Sequence, residues 1–319
     1  MKTRKVGIVG VGHVGAHTAY SLAIQGIADE IVLVDTNKPR VGSEFQDLFD
    51  SIPYMPNRVH LTNGTYEDLE DCDVIVNSAG DITLLLGSED RSRELRYTVP
   101  CVHTWADQLG KTSFDGIIVN ISNPCDVVTR EIALATGLPK GHVLGTGTGL
   151  DTARLVSQIA EATHVNAHSI QAYMIGEHGN SMFAGWSAVT MNGLPLDEFL
   201  DKYQDAKFDK AEIEQLGRHG GWVTFSYKHA TEYAIATTAA KMVKAILHDE
   251  RIIMPASTEL TGEYGQNGVF VGVPVLLGKN GVEQVIELSL TDEELDKLND
   301  SCNAIRANMA LADEIEGRA

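Results

Sequence analysis

Positive charge is the scarcest feature of this 319-residue sequence. Its 25 lysines and arginines face 44 aspartates and glutamates, a formal net charge of −19. Such a surface repels phosphate backbones and anionic headgroups, which argues against nucleic-acid and membrane-surface partners. It also repels small anionic substrates, so binding one requires cations gathered locally. No run of about 18 apolar residues is present, so no segment reads as membrane-spanning. Cysteine is sparse as well. Cys72, Cys101, Cys125 and Cys302 form no CxxC pair and no regular framework. That excludes a disulfide scaffold and reads as reduced thiols in a cytoplasmic protein. Repeats and low-complexity tracts are missing. What remains, 43% hydrophobic and 22% charged, is ordinary globular composition. The length suits about two domains of roughly 150 residues.

The N-terminus, MKTRKVGIVGVGHVGAHTAYSLA, has the basic-then-apolar look of a signal peptide. Its glycines fall at turn spacing, and His13 and His17 interrupt the apolar run, so it reads as strand, turn and helix. The first half continues this alternation. Lys5–Val9, Glu30–Val34, Asp73–Asn77 and Gly116–Ile121 are strand-like and apolar throughout. Helical patterns cover 13–25, 41–49, 93–109 and 126–136. Fully apolar strands separated by helices predict a doubly wound parallel sheet of α/β class, Rossmann-type. The second half has α+β order. Helices are expected at 150–163, 209–218 and 225–248, and strands at 169–175, 251–254, 269–277 and 282–288. A last helix starts at Thr291, whose capping-box partner is Glu294. The expected division is a cofactor domain, 1–147, and a substrate domain, 148–319.

Gly10, Gly12 and Gly15 form GxGxxG between a strand and a helix. The first glycine permits the tight turn, the second lets backbone approach a pyrophosphate, and the third lets helix and strand pack closely. The pyrophosphate would rest on amides at the positive end of the helix. Asp35 lies 20 residues past Gly15, at the end of the second strand. Its carboxylate accepts from a ribose 2′-hydroxyl and repels a 2′-phosphate, which predicts NAD rather than NADP.

Three further motifs carry chemistry. Ser122-Asn123-Pro124 ends a strand at the edge where doubly wound sheets bind ligands. Asp151 and Arg154 lie three apart on the first turn of a helix and share a face. Glu177-His178-Gly179-Asn180 follows a strand and is flanked by glycine. In this order and spacing, GVGHVG with Asp35, SNP, LDTAR and GEHGN resemble the NAD-dependent L-lactate/malate dehydrogenase family over nearly the whole chain.

That resemblance implies roles. His178 would exchange the proton at the substrate oxygen, with Asp151 holding its imidazole and stabilising the charged form. Arg154 would bind the substrate carboxylate bidentately. Asn123 would hydrogen-bond the reacting oxygen. Val14, Arg40, Tyr66, Ala79 and Gly80 match positions that line the cofactor. Arg91 matches the arginine of a closing loop that polarises the carbonyl. The resemblance also implies a homotetramer, or at least a dimer.

The same loop carries specificity in that family, with Arg where malate is the substrate and usually Gln where lactate is. Here residues 81–90 hold neither, but do hold Leu84, Leu85 and Leu86. A second substrate carboxylate among leucines would be an unpaired buried charge. The loop therefore points to 2-oxo acids with branched or aromatic apolar side chains. Arg218-His-Gly-Gly-Trp222 and the stretch through Thr231, which matches a residue lining the side-chain pocket, resemble L-2-hydroxyisocaproate dehydrogenases such as act on 2-oxoisocaproate. Plain L-lactate dehydrogenase is the alternative. The intact His178, Asp151, Arg154 and Arg91 argue against a non-catalytic NAD-binding protein. Val156 and Gln171 stand where sugar-bisphosphate-activated relatives carry Arg and His, so no such activation is expected.

Overall fold

A computed structural model describes residues 3–81, 84, 91–203 and 208–318. The first half runs β1 (Lys5–Val9), α1 (His13–Ile24), β2 (Glu30–Val34), α2 (Lys38–Ser51), β3 (His60–Asn63), β4 (Val74–Asn77), α3 (Arg91–Leu109), β5 (Ile117–Asn120), α4 (Cys125–Thr136) and β6 (Val143–Gly145). Its six strands are all parallel, in the spatial order β3-β2-β1-β4-β5-β6. Val9, Asn77 and Asn120 are register partners across β1, β4 and β5, so their carboxyl ends share one edge. Apart from the edge strand β3, these strands are buried on both faces because helices cover both. Ile8 and Val76 pack with Leu22 of α1, whereas Ile75 and Ile118 pack with Trp105 of α3 and Ile132 of α4.

The second half runs α5 (Gly149–Thr163), the short strands β7 (Ile170–Gln171), β8 (Met174–Ile175), β9 (Phe183–Ala184), β10 (Thr190–Met191) and β11 (Leu194–Pro195), then α6 (Leu196–Tyr203), α7 (Lys210–Lys228) and α8 (Tyr233–Leu247). It ends with β12 (Ile252–Thr261), β13 (Asn267–Gly278), β14 (Gly281–Val285) and α9 (Asp292–Ile315). The long strands β12–β14 are antiparallel and continue the parallel sheet beyond β6, giving nine strands among the described residues. The seam is the pair Ser257↔Gly145. Meanwhile α8 packs along α1, so a helix of the second half covers the first half's sheet. The capping box forms as expected: Glu294 N–H donates to Thr291 Oγ1 at 3.3 Å and Thr291 N–H to Glu294 Oε2 at 2.9 Å.

Some boundaries differ from the sequence reading. The pattern over 225–248 is two helices, broken where His229 adopts a left-handed conformation at φ 62°. No glycine or proline marks that turn, so the apolar periodicity reads straight through it. The expected strand 169–175 is two short strands. β14 ends at Val285, short of 288. β3 and β6 escape the sequence pattern because they are only four and three residues long.

Candidate active site

The glycine turn joins β1 to α1 at the carboxyl edge of the sheet. Gly10 has φ +85°, and a Cβ there would lie 2.5 Å from the Ala79 amide nitrogen. A Cβ on Gly15 would lie 2.0 Å from the Gly10 carbonyl oxygen. Both glycines are required by the protein's own backbone. Gly12, the N-cap of α1, faces open space: nothing described lies within 4 Å of where a Cβ would stand. A pyrophosphate at the helix end therefore has room where the second glycine is expected to let backbone approach a ligand. Asp35 ends β2 and accepts from Val11 N–H at 2.7 Å and Asn37 N–H at 2.8 Å. Arg40 donates from Nε to the Val11 carbonyl at 3.2 Å. The Asp35 carboxylate thus fixes the glycine turn.

Ala79 and Gly80 follow β4, opposite this turn, and Val14 lies on the first turn of α1. Tyr66 opens a single helical turn after β3 and is half-buried, and that burial pushes its phenol above the usual range. Two buried oxygens nearby, Asn123 Oδ1 and Thr98 Oγ1, have no hydrogen-bond partner among the described residues. A buried acceptor left without a donor fits a site that receives polar groups from a ligand. Asn123 is set in place by the asparagines that end β4 and β5. Asn77 Nδ2 donates to Asn120 Oδ1 at 2.8 Å and to Ser122 Oγ at 3.1 Å, and Ser122 N–H donates to Asn120 Oδ1 at 3.0 Å.

The second half brings His178, Asp151 and Arg154 together. Asp151 is fully buried on the first turn of α5. Its Oδ2 lies 2.6 Å from His178 Nδ1, and its Oδ1 accepts from Arg154 Nη1 at 2.8 Å. Burial alone would raise this carboxyl's pKa, but His178 and Arg154 outweigh it and hold it below the usual range. Arg154 Nη2 reaches Thr231 Oγ1 at 3.4 Å, in the turn between α7 and α8. A Cβ on Gly220 or Gly221 would meet the Arg154 side chain at 3.1 Å and 3.4 Å. Those two glycines let α7 lie against the guanidinium, which leaves its planar fork oriented by a carboxylate on one side and a helix on the other.

Asp126 and Ser257 escape the sequence reading. His178 N–H donates to Asp126 Oδ2 at 2.9 Å, and Ser257 Oγ donates to Asp126 Oδ1 at 2.6 Å. Asp126 follows the SNP turn by two residues on the first turn of α4, and that proximity is its only sequence signal. Ser257 is reached only because β12 pairs with β6. Burial pushes the Asp126 carboxyl up to about 6. On the other side, Glu177 N–H donates to Ser301 Oγ at 2.6 Å and Gly176 bridges to Gly272 of β13, which pins the loop that carries His178.

Leu84 is half-buried and donates its N–H to Asp81 O at 3.3 Å. Leu85 and Leu86 lie outside the described residues. Arg91 begins α3, but its side chain also lies outside them.

A dinucleotide fold that joins a His–Asp pair to an arginine fork defines a nicotinamide-dependent oxidoreductase of small carboxylic acids. Comparison with known proteins is more specific. The NAD-binding domain of lactate/malate dehydrogenase matches residues 4–145, and the α/β C-terminal domain of the same family matches 148–316. The chain is similar to L-lactate dehydrogenase of Fusobacterium nucleatum subsp. nucleatum, with 39% identity over 309 residues, 96% of each chain. It is likewise 39% identical to L-lactate dehydrogenase 1 of Bifidobacterium longum, over 96% of this chain and 97% of that protein. The crystal structure of minor L-lactate dehydrogenase from Enterococcus mundtii in its ligands-bound form superposes with a TM-score of 0.92 at 34% identity, over 97% of this chain and 98% of that one. The chain belongs to the lactate/malate dehydrogenase family and is an NAD-dependent oxidoreductase acting on 2-hydroxy acids.

Proposed function

We propose that this protein is an L-2-hydroxy acid dehydrogenase that reduces 2-oxo acids with branched or aromatic apolar side chains, 2-oxoisocaproate among them. The observation that carries the reaction is the shared Asp151 carboxylate, one oxygen on His178 and the other on Arg154. Gly10, Gly12, Gly15, Val14, Asp35, Arg40, Tyr66, Ala79 and Gly80 would hold NAD, which supplies the hydride chemistry when bound. Arg154 anchors the substrate carboxylate, with the two charges paired through parallel N–H donors. His178 donates a proton to the substrate oxygen as that oxygen gains charge, and the buried Asp151 anion stabilises the imidazolium before transfer. Asn123 donates to the same oxygen. Arg91, the first residue of α3 where the loop 81–90 ends, polarises the carbonyl when that loop closes and excludes water.

The substrate preference rests on residues 81–90, which offer leucines and no cation for a second carboxylate, with Leu84 half-buried. Thr231 lines the side-chain pocket beside Arg154. The relatives' names favour a second reading, L-lactate dehydrogenase. Comparing kcat/KM for pyruvate, oxaloacetate, 2-oxoisocaproate and phenylpyruvate separates the two. A tenfold preference for the larger apolar acids, about 1.4 kcal/mol of transition-state discrimination, supports the first. A preference for pyruvate supports the second.

We also divide the chain at 147/148 into cofactor and substrate domains, and expect a homotetramer in the cytoplasm. An apolar groove of about 440 Å³ between α1, α2 and α8, bordered by Tyr20, Leu48 and Tyr233, supports association of copies. Light scattering on the eluted protein tests it. The four cysteines are unpaired, and no described helix is long and apolar enough to cross a membrane.

A further inference from the structure

Glu232 is a buried carboxylate, 8% exposed, in the turn that also presents Thr231 to Arg154. A carboxylate held that far from water needs counter-charges. It finds them on two other elements. Lys228, from the last turn of α7, forms an ion pair with it. His13 and His17, from α1, face it with Nδ1 at 3.2 Å and Nε2 at 4.0 Å. His13 is the residue immediately after Gly12, at the helix end that meets the cofactor. Neighbouring Tyr233 closes the cluster. Its ring lies 3.6 Å below the Lys228 ammonium and 5.2 Å, edge to face, from the His17 ring. Arg154, Thr231, Glu232 and His13 therefore form a continuous path from the substrate anchor to the dinucleotide turn, and it crosses between the two halves of the chain.

We propose that Glu232 is a positioning residue that ties the substrate turn to the dinucleotide helix through His13 and His17, so that cofactor and substrate each tighten the other's binding. Ordering the turn through Glu232 when one ligand binds leaves less to be ordered when the second arrives. The coupling is reciprocal by linkage. Burial alone would raise the Glu232 carboxyl, but its pairing with Lys228 outweighs this and holds it below the usual range.

The test is a fluorescence titration of NADH with and without saturating oxamate, an amide isostere of a 2-oxo acid that cannot accept hydride. It uses wild type, Glu232→Gln, His13→Gln and the double variant. The ratio of the two NADH dissociation constants is the coupling factor. Glu232→Gln is expected to lower it about fivefold. The double variant should lose no more than the stronger single one. A merely structural residue would shift NADH affinity equally with and without oxamate. Coupling within twofold of wild type in both single variants, additive losses in the double variant, or no tightening by oxamate in wild type overturns the proposal. His13 is 66% exposed. His13→Gln therefore decides the matter alone if thermal melting shows Glu232→Gln to be unfolded.

Discussion

The first turns of α4 and α5 each bury one carboxylate, and both carboxylates hold His178. Asp151 of α5 takes the ring, and Asp126 of α4 takes the backbone N–H. Both are essentially inaccessible to water. Yet one pKa is lowered and the other is raised to about 6. Burial acts the same way on each, so the partners decide the difference. Asp151 faces a guanidinium and an imidazole, whereas the donors nearest to Asp126 are a hydroxyl and an amide. Charged donors offset the loss of hydration and neutral ones do so only in part. Equal burial can therefore give a standing anion in one place and a carboxyl that titrates near neutrality in another.

The largest effect should come from removing the charge at α5. Asp151→Asn keeps the shape but cannot stabilise an imidazolium, so kcat/KM should fall between about 10²- and 10⁴-fold in steady-state assays. Arg154→Lys breaks the same end from the other side. A lysine has no planar fork to bridge Asp151 and a substrate carboxylate, so KM for the 2-oxo acid should rise about 10²-fold, with NADH binding little changed. At α4 the expected loss is one of position and stability. Asp126→Ala leaves His178 N–H and Ser257 Oγ without their acceptor and should cost roughly 2 kcal/mol in urea unfolding.

Asp126→Asn sharpens the comparison further. A carboxyl raised on folding binds protons more readily in the native state. It therefore contributes most stability at low pH and less as pH rises from about 4 to about 6. Unfolding free energies measured across that range should fall in wild type with a component that the Asn variant lacks. Asp151 has the opposite sign: its contribution is present above the unfolded carboxylate value near about 4 and is lost on further acidification. The smallest effect is Ser257→Ala, about 1 kcal/mol from one neutral donor.

The legible parts of this protein are those whose chemistry is local in the chain. Glu30–Val34 reads as a buried strand because every residue is apolar, and Gly10 and Gly15 read as a turn because no side chain fits there. Asp151 and Arg154 read as a pair because three residues of helix put them on one face. His178 needed the motif around it, since one histidine among eleven carries no signal alone. Asp126, Ser257 and Glu232 were silent. Asp126 and Ser257 have partners remote in sequence, 52 residues from Asp126 to His178 and 131 to Ser257, and Glu232 meets His13 and His17 only across the fold, although Lys228 lies four residues away.

The sequence by itself determined the alternating strands and helices, the glycine turn, and the pairing of Asp151 with Arg154 on one helix face. Periodicity, backbone sterics and short helical spacings act within a few residues, so they can be read there. Only the tertiary structure decided that β12 would join β6 and carry Ser257 to Asp126, and that α8 would lie along α1 and carry Glu232 to His13. It also decided which of two equally buried carboxylates is lowered and which is raised to about 6. Those outcomes depend on the sign and distance of partners brought together by packing, and no local pattern in the chain encodes them.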